Sequence, residues 1–205
     1  MKRAARANGG DGLDVEAFRA RALELEVMGW VRPTGEIHAE GPPDAVDALL
    51  DGLTAEPAKV EGHEQFGIRG VSAGPFRVAE RERGYELCME VDGAMRCWTL
   101  AKAPTLDPAV KRFAFEADEQ PGGAVWDEGT YEQGGRVAWP EAIERGHAVF
   151  VLHGEKLSGG FALQRTREGA KPQWLLIKRR DEHARPGSDV VAERPESVVT
   201  GRALD

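Results

Sequence analysis

Hydrophobic and polar positions change texture near residue 70, and the two halves predict different elements. In "DVEAFRARALELEVM" the residues Val15, Phe18, Ala22, Leu25 and Val27/Met28 fall near helical spacing, which predicts an amphipathic helix with Asp14 as its N-cap. "GWVRP" and "EIHAEG" flank a Pro-Thr-Gly turn and predict a short hairpin. "PPDAVDALLDGLTAEP" predicts a second helix, with Pro42 and Pro43 in its first turn, a stripe of Ala45, Leu49, Leu50 and Leu53, and Pro57 beyond its end. "AKVEGHEQFGIRG" is the candidate last strand. Helix–strand–strand–helix–strand lacks only an opening strand to form a split βαβ, ferredoxin-like unit. Residues 1–12 are polar and glycine-rich, and predict a flexible N-terminus.

After "GVSAGP" the pattern becomes a run of short strands: "FRVAE", "YELCMEV", "MRCWTLA", "RFAFEA", "GAVWDEGTYE", "HAVFVL", "GGFALQRT" and "QWLLIKRRD". Asp92-Gly93, Gly122-Gly123, Gly134-Gly135 and Gly159-Gly160 punctuate them at spacings that suit a barrel or sandwich. Only residues 140–146, "PEAIERG", read as a short helix. The tail 187–205 is rich in proline, glycine and charge, and reads as a linker. The expected organisation is α+β: a ferredoxin-like domain over 13–70, a β-barrel domain over 71–186, then the tail.

One hairpin can be read at residue level. With Asp92-Gly93 as a two-residue turn, Val91 faces Ala94, Met89 faces Arg96, Leu87 faces Trp98 and Tyr85 faces Leu100, a mostly apolar face. The opposite face carries Glu86, Cys88, Glu90, Met95, Cys97 and Thr99. Cys88 falls opposite Cys97, at what should be a non-hydrogen-bonded pair with close Cβ atoms. Two reduced cysteines packed as small apolar groups are the expectation. A cross-strand disulfide, or a thiolate–carboxylate metal site with Glu86, is the alternative.

Composition narrows the function classes. The 205 residues carry a formal net charge of −8, so a broad basic surface for nucleic acid is not evident. A local exception is 165–185, where seven basic residues stand against three acidic ones near Trp174. Lys178, Arg179 and Arg180 are the candidate DNA contacts, although alternation in "WLLIKRRDE" also fits a solvated strand face. No 18-residue apolar run predicts a membrane span, and "MKRAARANGGDG" lacks the apolar stretch of a secretory signal. Two cysteines make no disulfide framework, so a reducing cytoplasm is expected. The five histidines show no metal-ligand spacing.

Gly29-Trp30-Val31-Arg32 and Ala39-Glu40-Gly41-Pro42, placed around a hairpin after a first helix, resemble the acylphosphatase family over about residues 11–65. That resemblance implies a glycine-rich loop ending in Phe-Arg, which holds the acyl phosphate, and an asparagine that positions water. Here the Phe-Arg slot falls on Asp14 and Val15, and the asparagine slot is Pro33, which has no side-chain donor. A retained scaffold without acylphosphatase activity is expected.

"EVDGAMRCWTLAKAPTLDPAVKR", "VWDEGTYE", "LHGEKLSGGFALQRT" and "WLLIKRRDEHAR" occur in the order found in the 3′-phosphoesterase domain of bacterial DNA ligase D. The chain resembles that family over roughly residues 75–205. The resemblance implies a small β-barrel that trims 3′-phosphates and 3′-ribonucleotides with a divalent metal, typically manganese. It also implies three histidines and an aspartate converging on that metal, with an arginine on the scissile phosphate. The first two histidine slots are Arg81 and Gly84, the aspartate slot is Glu86, the arginine slot is Cys88, and the third histidine slot is Gln120. Loss of an imidazole ligand is expected to cost orders of magnitude in affinity or activity.

The expectation is therefore a non-catalytic DNA-repair-associated binding or scaffold protein without a cofactor, engaging DNA ends or end-joining proteins. A divergent metal-dependent phosphoesterase using Glu86, Cys88, Glu90 and Cys97 as residual ligands is one alternative. A protein–protein interaction module without DNA contact is the other.

Overall fold

The computed structural model describes residues 2–119 and 122–204. Along the chain run β1 (Arg3–Asn8), α1 (Val15–Glu24), β2 (Met28–Val31), β3 (Glu36–Gly41), α2 (Pro43–Leu49), β4 (Ala55–Ala58) and β5 (Phe66–Ile68). Then follow β6 (Gly74–Arg81), β7 (Gly84–Val91), β8 (Ala94–Leu100), β9 (Lys111–Ala117), β10 (Ala124–Gln133), α3 (Glu141–Glu144), β11 (His147–Gly154), β12 (Ser158–Arg167), β13 (Gln173–Lys178) and α4 (Val190–Glu193). They form two units, one of residues up to 71 with 134–138, the other of 72–133 with the remainder. Among the described residues no helix is long and apolar enough to cross a membrane.

The first unit is a sheet of order β4-β1-β3-β2-β5. Elements β1 to β4 with α1 and α2 make the ferredoxin-like pattern, and β5 adds to the edge parallel to β2. Ala22 of α1, Val46 and Leu49 of α2, and Ile37 and Phe66 of the sheet share its core. The expectation of a flexible N-terminus is corrected here: Arg3–Asn8 is a central strand, paired with β3 on one side and β4 on the other. Its sequence RAARAN hides this, because alanine and arginine carry little strand signal. Ala5 and Ala7 nevertheless reach the core, where small residues let α1 and α2 approach.

Helix α1 starts at its expected cap, with the Asp14 carboxylate accepting from Ala17 N at 3.0 Å. It stops at Glu24, and Met28 opens β2 rather than ending the helix. "AKVEGHEQFGIRG" also divides: Ala58 ends β4, and Phe66–Ile68 forms β5 at the opposite edge of the sheet.

All eight expected strands of the second unit form, closing as a barrel in the order β10-β11-β12-β13-β9-β8-β7-β6. The β7–β8 register is the one anticipated, Val91 to Ala94 through Tyr85 to Leu100. Its turn residues Asp92 and Gly93 take φ of 50° and 77°, as a two-residue hairpin loop of primed type requires. Strand alternation sends Phe76, Val78, Leu87, Trp98, Trp174 and Phe150 inward, all buried. Trp98 meets Trp174 edge-on at 6.1 Å, and Phe150 stacks on Phe161 at 6.0 Å.

The tail corrects another expectation, since it docks instead of behaving as a linker. Gly187 N donates to Asp107 Oδ2 at 2.9 Å, and Asp189 caps α4. Val190 is buried, and the indole of Trp126 donates to Arg194 O at 2.9 Å. A composition rich in proline and charge conceals these few anchoring contacts.

Candidate functional site

The hairpin β6–β7 and strand β8 bring the anticipated positions to one face. Register places Arg77 beside Cys88, Ala79 beside Glu86 and Arg81 beside Gly84. On the other side of β7, Glu86 pairs with Thr99 and Cys88 with Cys97. These side chains point opposite to Phe76, Val78 and Leu87, so they lie outside the barrel wall. Yet Glu86 and Cys88 are both 0% exposed.

Their cover is explicit. Arg81 Nη2 donates to both carboxylate oxygens of Glu86, at 2.8 and 2.7 Å, and Arg81 Nη1 donates to Gly122 O. Arg77 Nη2 donates to Glu119 Oε1 at 2.6 Å. Glu119 and Gly122 are thereby tied to this face. A guanidinium in a histidine slot supplies positive charge where a cation would sit, and it already neutralises Glu86.

Cys88 and Cys97 form a disulfide, which corrects the expectation of two separate thiols. The cross-strand pairing brings their Cα atoms to 4.1 Å, so the two sulfurs face each other at close range. Glu86, Cys88 and Cys97 do place ligand atoms within 4.8 Å of one another. Both sulfurs are nevertheless bonded to each other, and the carboxylate is held by Arg81. Glu90 stands outside this cluster. This donor set does not fit manganese, which takes imidazole and carboxylate ligands rather than a disulfide.

Gly84 adds a backbone reason. It sits at φ +103°, and a Cβ there would lie 2.1 Å from Leu100 O. No histidine can occupy position 84 without moving β8. Gln120 lies outside the described residues. On the opposite side of β7 from Glu86, burial and then the Glu80 carboxylate push the Tyr85 phenol up to about 12, so it stays protonated at neutral pH.

In the first unit, Val15 is the first residue of α1, and Asp14 turns a carboxylate onto the helix's first amides, where an acyl phosphate would need donors. Pro33 is exposed in the β2–β3 turn, closed by Gly35 N to Arg32 O at 2.8 Å. Neither supplies a phosphate-binding group.

The candidate DNA contacts divide. Lys178 is only 2% exposed, which corrects its reading as a solvated or DNA-facing residue. It shares the inward parity of Trp174 and Leu176, and its ammonium ends on Asp181 Oδ1 and Oδ2, both at 2.7 Å, over the Phe161 ring. Arg179 and Arg180 remain exposed. Sequence spacing also missed one grouping: His38 and His63, far apart in the chain, meet beside Glu61. Only β3 and the segment after β4 packing together creates it.

No protein-family model matches the sequence. The multifunctional non-homologous end joining protein LigD of Pseudomonas aeruginosa is 40% identical over 139 residues. This chain resembles LigD. The match covers 58% of the chain but 16% of LigD, so the chain spans about a sixth of that protein's length. Among solved structures, an acylphosphatase from Coxiella burnetii is 23% identical and aligns with 33% of the chain and 93% of its own, at TM-score 0.30. Full-length HypF in its phosphate- and nucleotide-bound form is 18% identical over 40% of the chain and 14% of its own, also at TM-score 0.30. The ferredoxin-like assignment rests on strand order and connection, and the LigD resemblance on sequence.

Proposed function

We propose that the chain is a non-catalytic binding or scaffold protein of DNA end joining, derived from a phosphoesterase-like barrel and working in the cytoplasm. The observation that carries this reading is the Arg81–Glu86 ion pair beside the Cys88–Cys97 disulfide, on the face where the LigD-like chemistry would need metal ligands. The relative's name, a non-homologous end joining protein, supports DNA ends or end-joining proteins as partners. Burial of both sulfurs shields their bond from soluble thiols. A divergent phosphoesterase built on Glu86 and Cys88 has little to draw on, since both groups are already bonded.

Arg179 and Arg180 are the cations offered to a phosphate backbone. Binding of a 3′-phosphorylated duplex end, followed by fluorescence anisotropy across a salt series, tests this. The expected outcome is salt-sensitive binding by the wild type. In the Arg179→Glu/Arg180→Glu variant, the slope of log K against log salt falls by about 2. A second reading, a protein–protein module without DNA contact, is favoured by the withdrawal of Lys178 into the barrel and the net charge of −8. Absence of binding supports that reading instead, whereas binding equal in wild type and variant removes Arg179 and Arg180 as the contacts.

A further inference from the structure

The first unit gathers a cluster that neither family resemblance uses. β3 carries His38 and Glu40 two residues apart, so both project from the same side of the strand, and both are buried. The segment following β4 carries Glu61 and His63. Glu40 fixes that segment: its carboxylate accepts from the backbone N–H of Glu61, from Gly62 N at 2.9 Å and from His63 N at 3.1 Å. The same carboxylate lies 2.8 Å from His38 Nε2. Glu40 is an acceptor in every one of its backbone contacts, so Nε2 is the donor, and Nδ1 is the ring nitrogen left for a metal.

That nitrogen is unmet. His38 Nδ1 is buried with no hydrogen-bond partner, although buried polar atoms almost always have one. Trp30 stacks against the His38 ring at 5.9 Å, and the His63 ring meets it edge-on at 5.5 Å. His63 is itself 3% exposed. One ligand atom from each of His38, Glu61 and His63 lies within 4.8 Å of the others.

We propose that His38, Glu61 and His63 bind one divalent transition cation, with Glu40 as the positioning residue. Two imidazoles and one carboxylate are a borderline donor set suited to zinc, and the imidazoles disfavour calcium and magnesium. A carboxylate behind a ligating histidine is the usual outer partner, orienting the ring and raising its basicity. Ligand atoms that each lie about 2 Å from one zinc ion stand no more than about 4 Å apart, so a cluster spanning at most 4.8 Å needs little movement to close on it. Glu61, whose side chain is 37% exposed, has room to swing inward. The site lies in the ferredoxin-like unit and is independent of the reading given to the barrel.

The test uses the full chain, stripped with chelator and titrated with Zn²⁺ against a competing dye. Cobalt absorption then reports the coordination geometry. The expected result is saturable binding of one equivalent and intense visible bands from a four-coordinate Co²⁺ site. Glu61→Gln and His63→Gln each weaken zinc by at least about tenfold, the loss that outer-partner changes alone produce. His147→Gln and His153→Gln leave affinity unchanged. Glu61 is half-exposed, so Glu61→Gln keeps the fold, as its circular dichroism would show, and the comparison does not depend on altering buried His38. Absence of saturable zinc binding overturns the proposal. So does binding that survives both Glu61→Gln and His63→Gln, or that follows His147 or His153.

Discussion

Arg81→Ala is expected to destabilise the barrel by about 3–5 kcal/mol, the range for breaking a buried ion pair by removing one partner. Glu86 is 0% exposed, and the guanidinium of Arg81 spans both of its oxygens. Truncation removes that charge and also releases the tie from Arg81 to Gly122. The double change Arg81→Leu/Glu86→Leu is expected to recover most of the loss, because apolar side chains of similar volume replace such pairs at little cost. Urea unfolding followed by fluorescence reports both, as shifts of midpoint at constant slope. A single variant within about 1 kcal/mol of wild type would mean that Glu86 does not depend on Arg81, contrary to the geometry.

Lys178→Ala is expected to cost about 3 kcal/mol or more, by a different route. Its stem fills space next to Phe161, and its ammonium serves Asp181, Gly160 O and Arg179 O at the barrel's end. Lys178→Met keeps the stem volume and should cost less than the alanine change. The pH response separates charge from packing. Burial raises the Asp181 carboxyl, but the Lys178 ammonium and the amides of Gly160 and His183 outweigh it and hold it below its usual value of 3.8. Such a group stabilises the fold above that value, and the contribution fades as pH falls through the lowered one. Acid unfolding of wild type should show this loss below about pH 4. In Lys178→Met the window should shrink. An unchanged acid profile would remove Lys178 as the cause.

Much of the barrel was legible in the chain because antiparallel strands write their register locally. Asp92-Gly93 fixes one hairpin, alternation fixes its faces, and the pairing of Cys88 with Cys97 follows by counting. The state of the two sulfurs did not follow, since counting gives adjacency and not bonding. Lys178 was misread because charge suggested solvent, whereas its parity with Trp174 and Leu176 already pointed inward. β1 escaped notice because Ala5 and Ala7 carry no β-branched or aromatic signal, only smallness suited to two helices. The exclusion of histidine at position 84 depends on Leu100 O, a contact that no local pattern contains. The grouping of His38, Glu61 and His63 likewise depends on Glu40 holding a distant segment. Vacant family positions could be read from residue identity alone; what fills the face in their place required coordinates.

A guanidinium and a disulfide seal the outer face around Glu86, and the proposal is that no metal-assisted hydrolysis takes place there. Release of inorganic phosphate from a 3′-phosphorylated duplex, with manganese in excess, tests it most directly. The predicted rate equals that of manganese and DNA without protein, for the wild type and for Glu86→Gln alike. Manganese-dependent turnover by the wild type that Glu86→Gln abolishes would contradict the account.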